Sequence, residues 1–125
     1  MKLLLDTHVI LWWLADDPSL RPEVRAVVSE TSNLVYISAV SLWEIVIKRR
    51  LGKLQLPDDW ADVLLSEPFG KLSITPQHAL AVGELPDIHK DPFDRLLVAQ
   101  CMSEELTLVT HDATLKRYNT PVLMT

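Results

Sequence analysis

Glycine is scarce in this chain, and the three present, Gly52, Gly70 and Gly83, stand far apart. Glycine-rich phosphate loops and the glycine fingerprint of dinucleotide-binding turns are therefore excluded. No G-x-S-x-G elbow occurs, which removes serine hydrolases of that type. Cys101 is the only cysteine, so neither a disulfide framework nor a thiolate zinc site can form within one chain. It lies in an apolar stretch of helical spacing and reads as a buried structural thiol. Basic residues are outnumbered, 12 Lys and Arg against 17 Asp and Glu, for a net charge of -5. That balance argues against a broad basic surface holding nucleic acid. Nucleic-acid chemistry would require the negative charge to be concentrated where cations sit. No apolar run approaches the ~18 residues that a membrane span requires. Lys2 and the leucines after it resemble a leader peptide, but Asp6-Thr7-His8 interrupts them and no small-residue cleavage site follows. A cytoplasmic protein with no membrane partner is expected.

What is present is ordinary globular material: 125 residues, 48% apolar and 23% charged, consistent with one domain over residues 1–125. Short apolar runs at Lys2 to Leu5, Val35 to Ser38, Leu72 to Ile74, Leu108 to Thr110 and Val122 to Met124 read as strands. Helical spacing covers Val9 to Ala15, Pro22 to Glu30, Ser41 to Arg50, Asp58 to Glu67, Pro76 to Glu84, Pro92 to Glu104 and the short stretch Ala113 to Arg117. Pro22, Pro76 and Pro92 suit first-turn positions, and Gly52 suits a helix stop after Lys48-Arg49-Arg50. Strands alternating with helices predict an α/β fold with a mainly parallel sheet.

The remaining chemistry rests on acids and histidines. Asp6 ends the run Leu3-Leu4-Leu5, where an unpaired buried carboxylate is costly, and it equally suits the cap of the following helix. Ser41-Leu42-Trp43-Glu44 has the form of a capping box, which gives Glu44 a structural explanation of its own. In Asp91-Pro92-Phe93-Asp94, Asp91 is assigned to capping, while Asp94 fits either the positive helix end or a site. Asp112 follows Leu108-Val109-Thr110 and can cap the short helix after it.

Together the four acids mean more than each alone. Right-handed β-α-β crossovers bring every loop after a parallel strand to one sheet edge, and ligands of such sheets bind there. Asp6, Glu44 and Asp112 follow three strands. Asp94 opens a helix running antiparallel to its strand, so it starts at the same edge. Converging acids raise one another's pKa values or take up a cation, and an oxygen-only donor set favours Mg²⁺ or Mn²⁺.

The segments LLLDTHVILWWL, SLWEIVIKRRLGKLQL, HKDPFDRLLVAQ and LVTHD, in that order, resemble the PIN-domain family, specifically VapC-type toxins of bacterial toxin-antitoxin modules. The resemblance spans nearly the whole chain. It implies a three-layer α/β/α sandwich around a five-stranded, mainly parallel sheet. It further implies Mg²⁺- or Mn²⁺-dependent endoribonuclease activity, a small antitoxin partner and a homodimer. The family's acidic positions fall on Asp6, Glu44, Asp94 and Asp112. Asp6 and Asp94 would be the principal metal ligands, while Glu44 and Asp112 would bind through water, hold a second ion or orient the nucleophile. Thr7 matches a hydroxyl-bearing position that supports either a water at the site or the turn. His111 departs from the other polar or basic residues that many relatives carry before the last acid.

Arg95, beside Asp94, is a candidate for meeting a substrate phosphate, or for pairing with a neighbouring acid. Lys48, Arg49, Arg50 and Lys53 read as complements to a helix C-terminus, a helix length from the acids. His8, His78, His89 and His111 are dispersed and read as structural or surface residues, His8 as helix packing. Trp12, Trp13, Trp43 and Trp60 read as core cover. Because Trp12 and Trp13 are adjacent, one of them is expected to face outward, suiting a dimer or antitoxin contact. Two rival readings remain at this stage: a receiver-like signalling domain with an acidic Mg²⁺ pocket, and a catalytically silent α/β binding domain whose acids only cap helices.

Overall fold

Three consecutive leucines, Leu3, Leu4 and Leu5, are fully buried in β1 (Lys2–Leu5). A run apolar on both faces is what a strand inside a covered parallel sheet requires. Each such side chain contributes about 1.5–3 kcal/mol through its burial. The computed structural model describes residues 1–125. Around β1 stand β2 (Leu34–Ser38), β3 (Gly70–Leu72), β4 (Thr107–Thr110) and β5 (Val122–Met124). The sheet order is β3-β2-β1-β4-β5, and every pairing is parallel. A receiver domain has its second strand at the edge and its third beside the first. Here β1 lies between β2 and β4, which overturns the signalling-domain alternative.

Alternation along the strands divides the core between the two faces. Leu3, Leu5, Val35, Ile37 and Val109 belong to one apolar cluster, with Val9 and Ile10 of α1 (Thr7–Ala15), Val24 and Val28 of α2 (Pro22–Ser29) and Trp60 and Leu64 of α4 (Trp60–Leu65). Leu4 and Leu108 face the other way, against Leu97, Val98 and Cys101 of α6 (Pro92–Glu104) and Leu115 of the 3₁₀ turn Ala113–Arg117. With α3 (Ala39–Arg50) and α5 (Pro76–Val82) this is a three-layer α/β/α sandwich. Burial pushes the Cys101 thiol up to about 12, as an inert structural thiol requires.

Several boundaries differ from the sequence expectation for identifiable reasons. The third strand lies two residues earlier than Leu72 to Ile74, because Gly70 pairs with Tyr36. A Cβ on Gly70 would come within 2.5 Å of the Tyr36 ring, so any other residue would have to displace that ring. The third helix starts at Ala39 rather than after Ser41, with Ser38 as its cap accepting from the Val40 N–H at 3.0 Å. Gly52 takes φ of 75° just past that helix, the left-handed stop for which glycine is suited. α6 has the bounds expected for it, fixed by Asp91 and Pro92.

Candidate active site

β1 and β4 are neighbours whose chains leave toward different layers, so their carboxyl ends open a crevice at a topological switch point. Asp6 and Asp112 occupy those two ends. Asp6 is buried: one carboxylate oxygen accepts the His8 N–H at 2.7 Å, capping α1, and the other accepts the Thr110 hydroxyl at 2.6 Å. Capping and site position therefore coexist in this residue. Asp112 accepts the Thr114 N–H at 3.0 Å as cap of the 3₁₀ turn, and its second oxygen lies 2.8 Å from His89 Nε2.

Asp94 enters from the third position of α6, above Asp91, whose carboxylate accepts the Phe93 and Asp94 N–H groups. One atom each from His89, Asp94 and Asp112 lies within 4.8 Å of the others, which brings the two carboxylates to one place with the imidazole between them. Asp6 and Glu44 are not part of that tight trio, yet their charges reach it. Asp94 is pushed up to about 7, first by burial, then by Asp6 and Asp91, with His89 opposing and Glu44 adding to the rise. A carboxylate raised that far by burial and surrounding acids is one that a cation would return to its charged form.

Glu44 is not a capping residue, since its helix begins five residues earlier, at Ala39. Its side chain is buried in the first half of α3, where Lys48, one turn on, pairs with one oxygen. The other oxygen, Oε1, is buried and has no hydrogen-bond partner. A native protein seldom leaves a buried carboxylate oxygen unmet unless a ligand, water or ion completes it. Glu44 Oε1, the raised Asp94 and the hard oxygen donors together fit a divalent cation.

Ser41, expected to cap, instead accepts the Thr7 hydroxyl at 2.9 Å in a buried contact that ties α1 to α3 beneath the acids. Arg95, considered for a phosphate contact, is engaged with the backbone. Its terminal nitrogens donate to the carbonyls of Val82, Leu85, Pro86 and His89 and to the Tyr118 hydroxyl, so the guanidinium ties down the segment preceding α6. Lys48 also departs from expectation: it is not remote, but pairs with Glu44 and feels the charges of Asp91 and Asp94, and its pKa is raised, first by the Glu44 bond.

His89 is the residue that the sequence did not single out. Its Nδ1 accepts the Asp91 N–H at 3.0 Å, which leaves the ring proton on Nε2, directed at Asp112 and 3.5 Å from Asp94. Asp112 is held below its usual value: burial opposes ionisation, and the bonds from His89 and Thr114 outweigh it. The only signal in the sequence was the place of His89 in HKDPFD, two residues before a helix cap. Of the tryptophans, Trp60 is buried and Trp12 and Trp13 are both partly covered; the exposed one is Trp43.

Comparison with known proteins agrees with this architecture. The family model for the PIN domain matches residues 3–120. Ribonuclease VapC22 of Mycobacterium tuberculosis is 30% identical over 95% of this chain and 93% of its own length. Among solved structures, the VapBC2 complex of Rickettsia felis bound to a DNA fragment from its promoter contains a chain matched at a TM-score of 0.78 and 18% identity, covering 100% of this chain and 99% of that one. DNA-bound VapBC of Salmonella typhimurium matches at 0.73 and 20% identity, over 99% and 98% of the two chains. At those identities the two structures speak for the fold.

Proposed function

The chain belongs to the PIN-domain family, and from that premise we propose that it is an endoribonuclease that hydrolyses RNA phosphodiester bonds with Mg²⁺ or Mn²⁺, as the toxin of a toxin-antitoxin pair. The observation that carries the metal dependence is the unpartnered buried oxygen of Glu44 beside an Asp94 raised first by burial and then by its acidic neighbours. Asp6, Asp94, Asp112 and that Glu44 oxygen would hold the ion. When bound, it supplies Lewis-acid polarisation of the phosphoryl oxygen and an acidified water for in-line attack.

The protein's own residues do the positioning. Thr110 and the His8 N–H fix both oxygens of Asp6, so its carboxylate has one orientation. His89 aligns Asp112 in the same manner. Lys48 neutralises one edge of Glu44 and leaves the other edge available. Thr7 and Ser41 lock the two helices carrying Asp6 and Glu44 at a fixed separation.

The ribonuclease name of the Mycobacterium relative supports RNA as substrate, and the VapBC complexes among the structural neighbours support a small antitoxin partner. No helix is long and apolar enough to cross a membrane, and we place the protein in the cytoplasm. Incubating the purified chain with structured RNA, with and without Mg²⁺ or Mn²⁺, tests the proposal. Cleavage should require the metal and should be lost in Asp6→Asn and Asp94→Asn. Cleavage that persists without metal, or in both variants, would sink it.

A further inference from the structure

Three aromatic rings form a cluster on residues that flank Asp6 and Asp112 in the chain, and neither core packing nor metal binding uses all of them. His8 comes from the first turn of α1, Trp12 lies one turn further along the same helix, and His111 comes from the loop between β4 and the 3₁₀ turn. The His8 and His111 centroids are 4.9 Å apart and the Trp12 and His111 centroids 4.7 Å apart, both edge-on, and His8 lies 6.1 Å from Trp12. Both histidines are exposed, while Trp12 is half-buried. The cluster is joined to the acids through the backbone: the N–H of His8 is the one bound by Asp6, and His111 immediately precedes Asp112. The Asp112 N–H in turn donates to the Thr110 hydroxyl at 3.1 Å, which stiffens the loop carrying His111.

Exposed rings kept in fixed mutual orientation beside a phosphate-cleaving centre suit one ligand chemistry. A nucleobase offers a flat π-face that stacks on aromatic and imidazole rings whatever its sequence. The trio contains no lysine or arginine, the side chains best suited to a phosphate clamp. A chain with a net charge of -5 gains little from a counterion-release surface and has correspondingly more need of base contacts. Resting on the ribonuclease reading above, we propose that His8, Trp12 and His111 form a stacking subsite for an unpaired RNA base adjoining the scissile phosphate.

The test uses the full chain with Mn²⁺ and a labelled single-stranded oligoribonucleotide of mixed sequence, together with versions carrying one abasic position on either side of the cleaved bond. His111→Ala is expected to raise KM by about tenfold, a larger effect than on kcat, and His111→Phe should restore most of the loss. One abasic position should weaken the wild type by a similar factor and cost His111→Ala little more. If His111→Phe is as impaired as His111→Ala, or abasic substitution weakens both proteins equally, stacking is wrong. Anisotropy titration of the same oligonucleotide without metal reads the subsite separately from cleavage. Binding weakened by His8→Ala and His111→Ala supports the subsite, and binding unchanged in both overturns it. A wild type that binds but never cleaves strikes instead at the nuclease reading.

Discussion

His89 Nε2 lies 2.8 Å from a carboxylate oxygen of Asp112 and 3.5 Å from one of Asp94, with its other nitrogen occupied by the Asp91 N–H. The imidazole is thus a donor that aligns Asp112, in the way that hydrogen-bonded partners orient metal ligands. His89→Ala is expected to weaken Mn²⁺ binding by about 10- to 100-fold, read by isothermal titration, with cleavage falling in step at limiting metal. His89→Gln, which keeps a donor, should recover part of it. Unchanged metal affinity in His89→Ala would make the contact incidental.

The raised Asp94 gives the metal-free protein a pH dependence of definite sign. Its ordinary value is 3.8 and the folded value about 7. Between those values the folded chain holds a proton that the unfolded chain has released, so stability falls as pH rises through the window and the loss is complete above about 7. The metal-free thermal midpoint should therefore be lower at about pH 7.5 than at about pH 5, by an amount corresponding to a few kcal/mol at most. Mn²⁺ should raise the midpoint far more at the higher pH, where Asp94 is open to it. Asp94→Asn should flatten the pH slope and remove most of the metal effect. A midpoint in the metal-free wild type that rises across the same range would contradict the assigned environment.

Features set by local chemistry were legible in the sequence, and features set across the fold were not. Asp91 and Pro92 announce the start of α6 by themselves, and a cap with proline at the first position needs nothing distant. The parallel sheet followed from strands alternating with helices, and the edge that gathers Asp6, Glu44, Asp94 and Asp112 followed from crossover handedness. Ser41-x-x-Glu44 misled because it meets the capping-box pattern, while Thr7 draws Ser41 into a buried contact 34 residues away in sequence. His89 was missed for a similar reason, since its partner Asp112 is 23 residues distant. The two-residue displacement of β3 depends on the Tyr36 ring crossing Gly70, which no local pattern encodes.

Lys48 is the one ammonium paired with the acids, and Glu44 has no other hydrogen-bond partner. Lys48→Met should leave both Glu44 oxygens unmet and lower metal-free stability by about 1–3 kcal/mol in urea unfolding. Saturating Mn²⁺ should restore much of it, because the ion satisfies the same carboxylate. Equal losses with and without metal would mean that Lys48 acts through packing of its stem alone.

Arg95 separates a structural guanidinium from a phosphate-binding one. Its side chain is 15% exposed, and its bonds to four carbonyls span Val82 to His89. Tyr118, whose hydroxyl it also meets, accepts the His89 N–H at 2.8 Å, so Arg95 and Tyr118 together seat the residue that aligns Asp112. Arg95→Ala should cost about 2–4 kcal/mol, since several carbonyls lose a charged donor at once. Hydrogen exchange should rise across residues 83–90. Arg95→Lys should recover little, because a single ammonium cannot span a fan of acceptors that the planar fork reaches. Cleavage should fall through kcat and metal affinity as His89 loosens. A phosphate-binding arginine would behave in the opposite way, with stability intact, KM raised and the salt dependence of RNA binding reduced. That pattern would return Arg95 to the substrate.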